Sequence, residues 1–60
     1  MPFISVKILE GHNKERKQQI VAKITDAVTE VTEIPKESVW VVIEDIPKKD
    51  WAVGGKLLEE

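Results

Sequence analysis

The chain contains no cysteine, no tyrosine and a single histidine. Without cysteine there is no disulfide and no thiolate to act as nucleophile or ligand. His12 alone cannot hold a structural zinc ion, which takes four ligands drawn mainly from cysteine and histidine. Long apolar runs are also missing, and none approaches the ~20 residues needed to span a bilayer. The opening Met1-Pro2-Phe3-Ile4-Ser5-Val6 lacks the basic stretch and apolar core of a secretory signal. Nor is there a strong charge of one sign: nine basic and eleven acidic side chains are interspersed, for a formal net charge of −2. A nucleic-acid binder carries a basic face, and the Lys48-Lys49 pair reads as part of a solvated turn. The expectation is a cytoplasmic protein with neither nucleic acid nor membrane as partner. The lack of cysteine fits a reducing compartment.

The usual catalytic groupings are absent as well. Ser5 and Ser38 are the only serines, and neither sits in a G-x-S-x-G elbow. Gly54-Gly55 lacks the strand-loop-helix setting and lysine of a phosphate loop. Glu44 and Asp45 are adjacent in a predicted strand and so point to opposite faces, which makes them a poor carboxylate pair.

What is present is small. Sixty residues make one domain, residues 1–60. A domain of this size buries only about 60% of the surface its unfolded chain exposes. Ordering it costs roughly 90 kcal/mol at ~1.5 kcal/mol per residue. With disulfides and zinc excluded, association with other copies is the expected compensation.

Residues 2–9 read as a strand, with Ile4, Val6 and Ile8 on one face and Phe3, Ser5 and Lys7 on the other. Phe3 and Leu9 leave the second face partly apolar. Residues 10–13 form a turn in which Gly11 reaches backbone angles closed to other residues, and Asn13 is a good helix N-cap. Arg16 stands where a capping box would need Glu or Gln. Residues 14–32 predict a helix of about five turns. Ile20, Val21, Ile24, Ala27, Val28 and Val31 form its apolar stripe, and Lys17, Gln18, Lys23, Asp26 and Glu30 are expected in solvent. Pro35 biases Ile34 away from helical angles and ends the element. Residues 39–46 are the clearest strand, with Val39, Val41 and Ile43 on one face and Trp40, Val42 and Glu44 on the other, suited to a central, well-covered position. Strand, helix and strand in this order favour a right-handed parallel crossover. Residues 47–50 are a turn. Residues 51–55 are a short apolar segment with a flexible end, and 56–60 an edge strand or a segment that pairs with another subunit. Two strands and one helix leave a sheet face and edges bare, and subunit contacts belong there.

One residue carries chemistry. Pro2 follows the initiator methionine, and small second residues generally permit that methionine to be removed. The ring would then bear a free secondary amine at the start of a strand. An α-amino group titrates at about 7.7–8.0 in peptides, and partial burial disfavours its charged form. Such a proline can serve as a general base near neutral pH. The other reading is a rigid strand start, which proline tolerates.

The pattern Pro2-Phe3-Ile4, Ile8-Leu9-Glu10-Gly11, Glu15 and Lys17 in the helix, Pro35, 39–43 and Trp51-Ala52-Val53-Gly54-Gly55 resembles the 4-oxalocrotonate tautomerase family. The resemblance covers nearly the whole chain. It implies an α+β fold: a β-α-β protomer with parallel strands and a short C-terminal hairpin, of the MIF-like tautomerase type. It further implies a homo-oligomer, most often a hexamer built as a trimer of dimers, and no metal or organic cofactor. The implied activity is keto-enol tautomerisation of a small unsaturated 2-hydroxy/2-oxo acid, with Pro2 moving the proton. Trp51 then matches the aromatic lining the pocket, Leu9 and Val53 border the substrate, and Ser38 contacts a carboxylate.

The chain departs from the pattern at two positions. His12 and Trp40 stand where the family has arginines that bind the substrate's carboxylates and polarise its carbonyl. Arginine presents a fixed fork of donors and a permanent charge. Histidine's charge is conditional, and tryptophan offers one neutral donor on a large apolar surface. The resemblance therefore points away from a dicarboxylate and toward a smaller or more apolar enol. His12 also reads as a turn residue, and Trp40 as an interface residue. A second function stays open on the same departures: a non-catalytic oligomeric module, or the structural subunit of a hetero-oligomeric tautomerase. Hydration or dehalogenation of an unsaturated acid would need a residue that activates water, and no second acid or base is evident near Pro2.

Overall fold

A computed structural model of the chain describes residues 1–59. Strand β1 (Phe3–Leu9) leads into helix α1 (Lys14–Thr32), and strand β2 (Trp40–Ile46) follows a short 3-10 turn at Lys36–Ser38. A second 3-10 turn at Lys48–Asp50 precedes the two-residue strands β3 (Ala52–Val53) and β4 (Lys56–Leu57). β1 and β2 pair in parallel, from Phe3 opposite Trp40 to Leu9 opposite Ile46. The ladder is extended at both ends: Trp40 N–H donates to the Pro2 carbonyl at 3.0 Å, and Glu10 N–H donates to the Ile46 carbonyl at 3.0 Å. β3 and β4 form an antiparallel hairpin. The β-α-β order, the parallel pair and the terminal hairpin are those expected from the sequence.

Local chemistry accounts for the element ends. The Asn13 side chain accepts a hydrogen bond from Arg16 N–H at 2.9 Å, the N-cap geometry. The helix ends at Thr32, the expected bound, two residues before the Ile34 that Pro35 restricts. Glu33 adopts left-handed angles (φ 62°) and its N–H returns to the Thr29 carbonyl, an αL termination without glycine. Gly54 and Gly55 have φ of 61° and 85°. These are the angles of a type I′ turn, the favoured two-residue hairpin connection. The segment read as a flexible end is thus a defined turn. Of the expected C-terminal segment 56–60, Lys56 and Leu57 form β4, and Glu60 lies outside the described residues.

The helix covers one face of the β1–β2 sheet. Ile4, Val6, Ile8, Val41 and Ile43 are half-buried beneath it, and Phe3, Ser5, Lys7, Trp40, Val42 and Glu44 are exposed on the other side. β2 is accordingly covered on one face only, where its apolar composition suggested both. The helix stripe is rotated from its expected line: Lys17, Ile20, Val21, Ile24, Thr25, Val28 and Thr29 are half-buried, whereas Ala27 is exposed and Val31 is 81% exposed. Lys17, expected in solvent, reaches the sheet and forms an ion pair with Asp45.

No described residue is fully buried. The chain is a slab of 44 × 24 × 14 Å with a radius of gyration of 14.3 Å. A compact globule of this length has about 10 Å. Its accessible surface is 4888 Å², against about 4,000 Å² for a folded monomer of this mass. The excess is comparable to the ~800 Å² that one partner contributes to an ordinary interface.

Candidate active site

The parallel register separates the candidate residues into two groups. Pro2 lies at the start of β1. Its carbonyl accepts from Trp40 N–H, which places Trp40 beside it, and Ser38 lies two residues before Trp40 in the 3-10 turn. Phe3 is directly opposite Trp40 across the pair. This end of the sheet therefore carries Pro2, Ser38, Phe3 and Trp40. Pro2 is half-buried, Phe3 and Trp40 are 62% and 54% exposed, and Met1 is 82% exposed.

Leu9, His12, Trp51 and Val53 belong to the opposite end. Leu9 is the last residue of β1, and His12 follows it in the turn to the helix. Lys48 N–H donates to the Glu10 carboxylate at 3.4 Å, which ties the turn after β2 to the turn after β1. That turn delivers Trp51, half-buried in a shallow concavity it shares with Lys7, Ile46, Asp50 and Ala52. The Trp51 carbonyl accepts from Leu58 N–H at 2.9 Å, which closes the base of the hairpin. Val53, in the hairpin, is 65% exposed. A seven-residue strand spans about 20 Å. One chain therefore does not bring Pro2 together with Leu9, Trp51 and Val53.

His12 lies in a groove along the flank of α1 with Arg16, Gln19, Ile20 and Lys23. Glu10 and Arg16 were not among the candidates read from the sequence. Helical spacing gives no signal that joins Arg16 to His12, because His12 precedes the helix that Asn13 caps and Lys14 begins. Among the described residues, no group of three or more His, Asp or Glu side chains is placed to hold a metal ion. No described helix is long and apolar enough to cross a membrane.

Comparison with known proteins bears on this arrangement. A family profile described as "Tautomerase enzyme" matches residues 2–60. A probable tautomerase of Bacillus cereus is 45% identical over 60 residues, covering all of this chain and 98% of the relative. The 2-hydroxymuconate tautomerase of Bacillus subtilis is 43% identical over 60 residues, covering all of this chain and 97% of that protein. A solved chain of a heterohexamer 4-oxalocrotonate tautomerase from Chloroflexus aurantiacus superposes with a TM-score of 0.94 at 27% identity. That match covers 100% of this chain and 97% of the other.

Proposed function

The chain belongs to the tautomerase family, enzymes of the isomerase class, and from that premise we propose that Pro2, freed by removal of Met1, is its acid-base residue. The substrate is a small unsaturated 2-hydroxy acid, converted to its 2-oxo tautomer. The observation that carries the reading is the hydrogen bond from Trp40 N–H to the Pro2 carbonyl. It pins the terminal residue in the sheet while the ring nitrogen remains at the chain's start. Met1, 82% exposed, gives up little packing when it is removed.

The chemistry follows from a neutral ring amine held in one place. The amine accepts the enol hydroxyl proton as the carbonyl forms, and the shifting double bond places electron density on a carbon of the conjugated chain. The same nitrogen returns a proton there. The O–H bond breaks, a C–H bond forms, and no electrons leave the substrate. A base whose affinity for protons lies near the working pH serves both directions, and the ring leaves the nitrogen few orientations.

Phe3 and Trp40 favour an enol with an apolar or aromatic body. They form a cross-strand aromatic pair next to Pro2, uncharged and open, with no guanidinium to take a second carboxylate there. Because Leu9, Trp51 and Val53 lie at the far end of the same sheet, a site containing them and Pro2 takes residues from a neighbouring chain. A homohexamer built as a trimer of dimers supplies such neighbours, and the chain's excess surface supports association.

The test is ketonisation of phenylenolpyruvate and of 2-hydroxymuconate, followed by absorbance, with intact mass used to verify loss of Met1. The processed protein accelerates both, phenylenolpyruvate the better, and Pro2→Ala loses at least about a hundredfold, the lower range of a positioned acid-base group. Equal rates in processed and Met1-retaining protein would remove Pro2 from the mechanism. A second reading, a partner subunit in a hetero-oligomer, is favoured by the likeness to a heterohexamer chain. Full turnover by the purified single chain would exclude it.

A further inference from the structure

Resting on the reading of this chain as a tautomerase of unsaturated acids, we propose that Arg16 is the group that binds the substrate's carboxylate, from the groove on the flank of α1. Arg16 is the only arginine in the sequence. It shares a concave surface with His12, Gln19, Ile20 and Lys23. Arg16, Gln19, Ile20 and Lys23 lie within the first three turns of α1, and His12 stands just before the Asn13 cap, so the groove runs from the β1–α1 turn along the start of the helix.

Three features suit this groove to a carboxylate on an apolar body. It contains no acidic side chain to neutralise its cations. The ion pairs among the described residues use Lys7, Lys17 and Lys49 and leave the Arg16 guanidinium without a carboxylate partner. Ile20, half-buried, forms an apolar floor beside the charged group. The other cations without an acidic partner are lysines, which act as point charges, whereas the guanidinium holds a carboxylate through two parallel hydrogen bonds. Lys23 adds a second cation, and Gln19 and the His12 ring add further donors.

The groove lies at the His12 end of the protomer, away from the chain's own Pro2. Arg16 therefore serves the proline of a neighbouring chain. It orients the acid and leaves the body of the enol to the Phe3–Trp40 wall. One fork per site means one carboxylate bound tightly, which makes a monocarboxylate enol the preferred class of substrate.

The test separates anion binding from turnover. Cinnamate and methyl cinnamate share an aryl-propenoyl body and differ in the charge. Titrated into the wild-type protein and followed by NMR, cinnamate binds at least about tenfold more tightly, one charge-assisted contact's worth. Arg16→Gln abolishes the preference, Arg16→Lys keeps part of it, and Lys14→Gln, on the neighbouring flank, leaves it intact. With an enol monocarboxylate, Arg16→Gln raises KM about tenfold with a smaller change in kcat, and native mass spectrometry shows the same assembly as the wild type. An unchanged preference in Arg16→Gln, or an equal loss in Lys14→Gln, overturns the assignment. An Arg16-dependent preference in a protein that turns over no enol upholds the anion site and removes the tautomerase reading. Turnover with no Arg16-dependent preference does the reverse.

Discussion

The two faces of the β1–β2 sheet are made by the same fourteen strand residues and have different fates. On the helix side, Ile4, Val6, Ile8, Val41 and Ile43 are covered by α1. On the outer side, Phe3, Trp40 and Val42 sit among Ser5, Lys7 and Glu44 and stay open. The inner face contributes what hydrophobic stabilisation one chain can generate by itself. The outer face shows how far this falls short, because Phe3, Trp40 and Val42 remain 62%, 54% and 47% exposed and apolar area left in water contributes nothing at ~25 cal/mol per Å². One alternating pattern thus serves folding on one side and association on the other. The residues beside Pro2 belong to the second.

Substitutions on the two faces test this division. The largest effect is expected from Ile43→Asp. A carboxylate placed beneath the helix has no partner there, a penalty of several kcal/mol. That is comparable with the whole stability of a small domain, so the far-ultraviolet circular dichroism of the variant is that of an unfolded chain. Val42→Glu, one residue away on the outer face, is expected to leave the β-α-β unit's own contacts intact and to disrupt assembly. Native mass spectrometry should show smaller species. The rise of Tm with protein concentration, which mass action gives an oligomer, should vanish. If Val42→Glu assembles as the wild type does, the outer face is not the subunit contact. The smallest effect is expected from Asp45→Asn, which removes the Lys17 ion pair at the edge of the helix-covered side. With side chains 31% and 42% exposed, the pair is screened by solvent, and the loss is about 1 kcal/mol or less. Chemical denaturation at fixed protein concentration measures it.

Much of the fold is legible in the sequence. The two-residue alternation in β1 and β2, Asn13 at the head of the helix and Gly11 in the turn before it are local signals, and β1, α1 and β2 form within one residue of their expected bounds. Other features depend on partners far along the chain. Lys17 read as solvated because helical periodicity carries no information about Asp45, 28 residues away. Ala27 and Val31 read as core because spacing alone cannot say which side of a broad apolar stripe meets the sheet. Glu33 closed the helix in left-handed geometry, an outcome that local preference, which favours glycine there, does not anticipate.

For the candidate site, the residue types were visible and their grouping was not. The sequence by itself determined that a proline stands second in the chain, that His12 and Trp40 occupy positions where arginine was expected, and that sixty residues without cysteine need outside support. These are matters of composition and order. Only the tertiary structure decided that Pro2, Ser38 and Trp40 share one end of the sheet, that Leu9, Trp51 and Val53 share the other, and that Arg16 joins His12 in an acid-free groove. The physical reason is the parallel register of β1 and β2. It sets like ends of both strands side by side, a strand's length from their other ends, and no local periodicity encodes which residue of one strand faces which of the other.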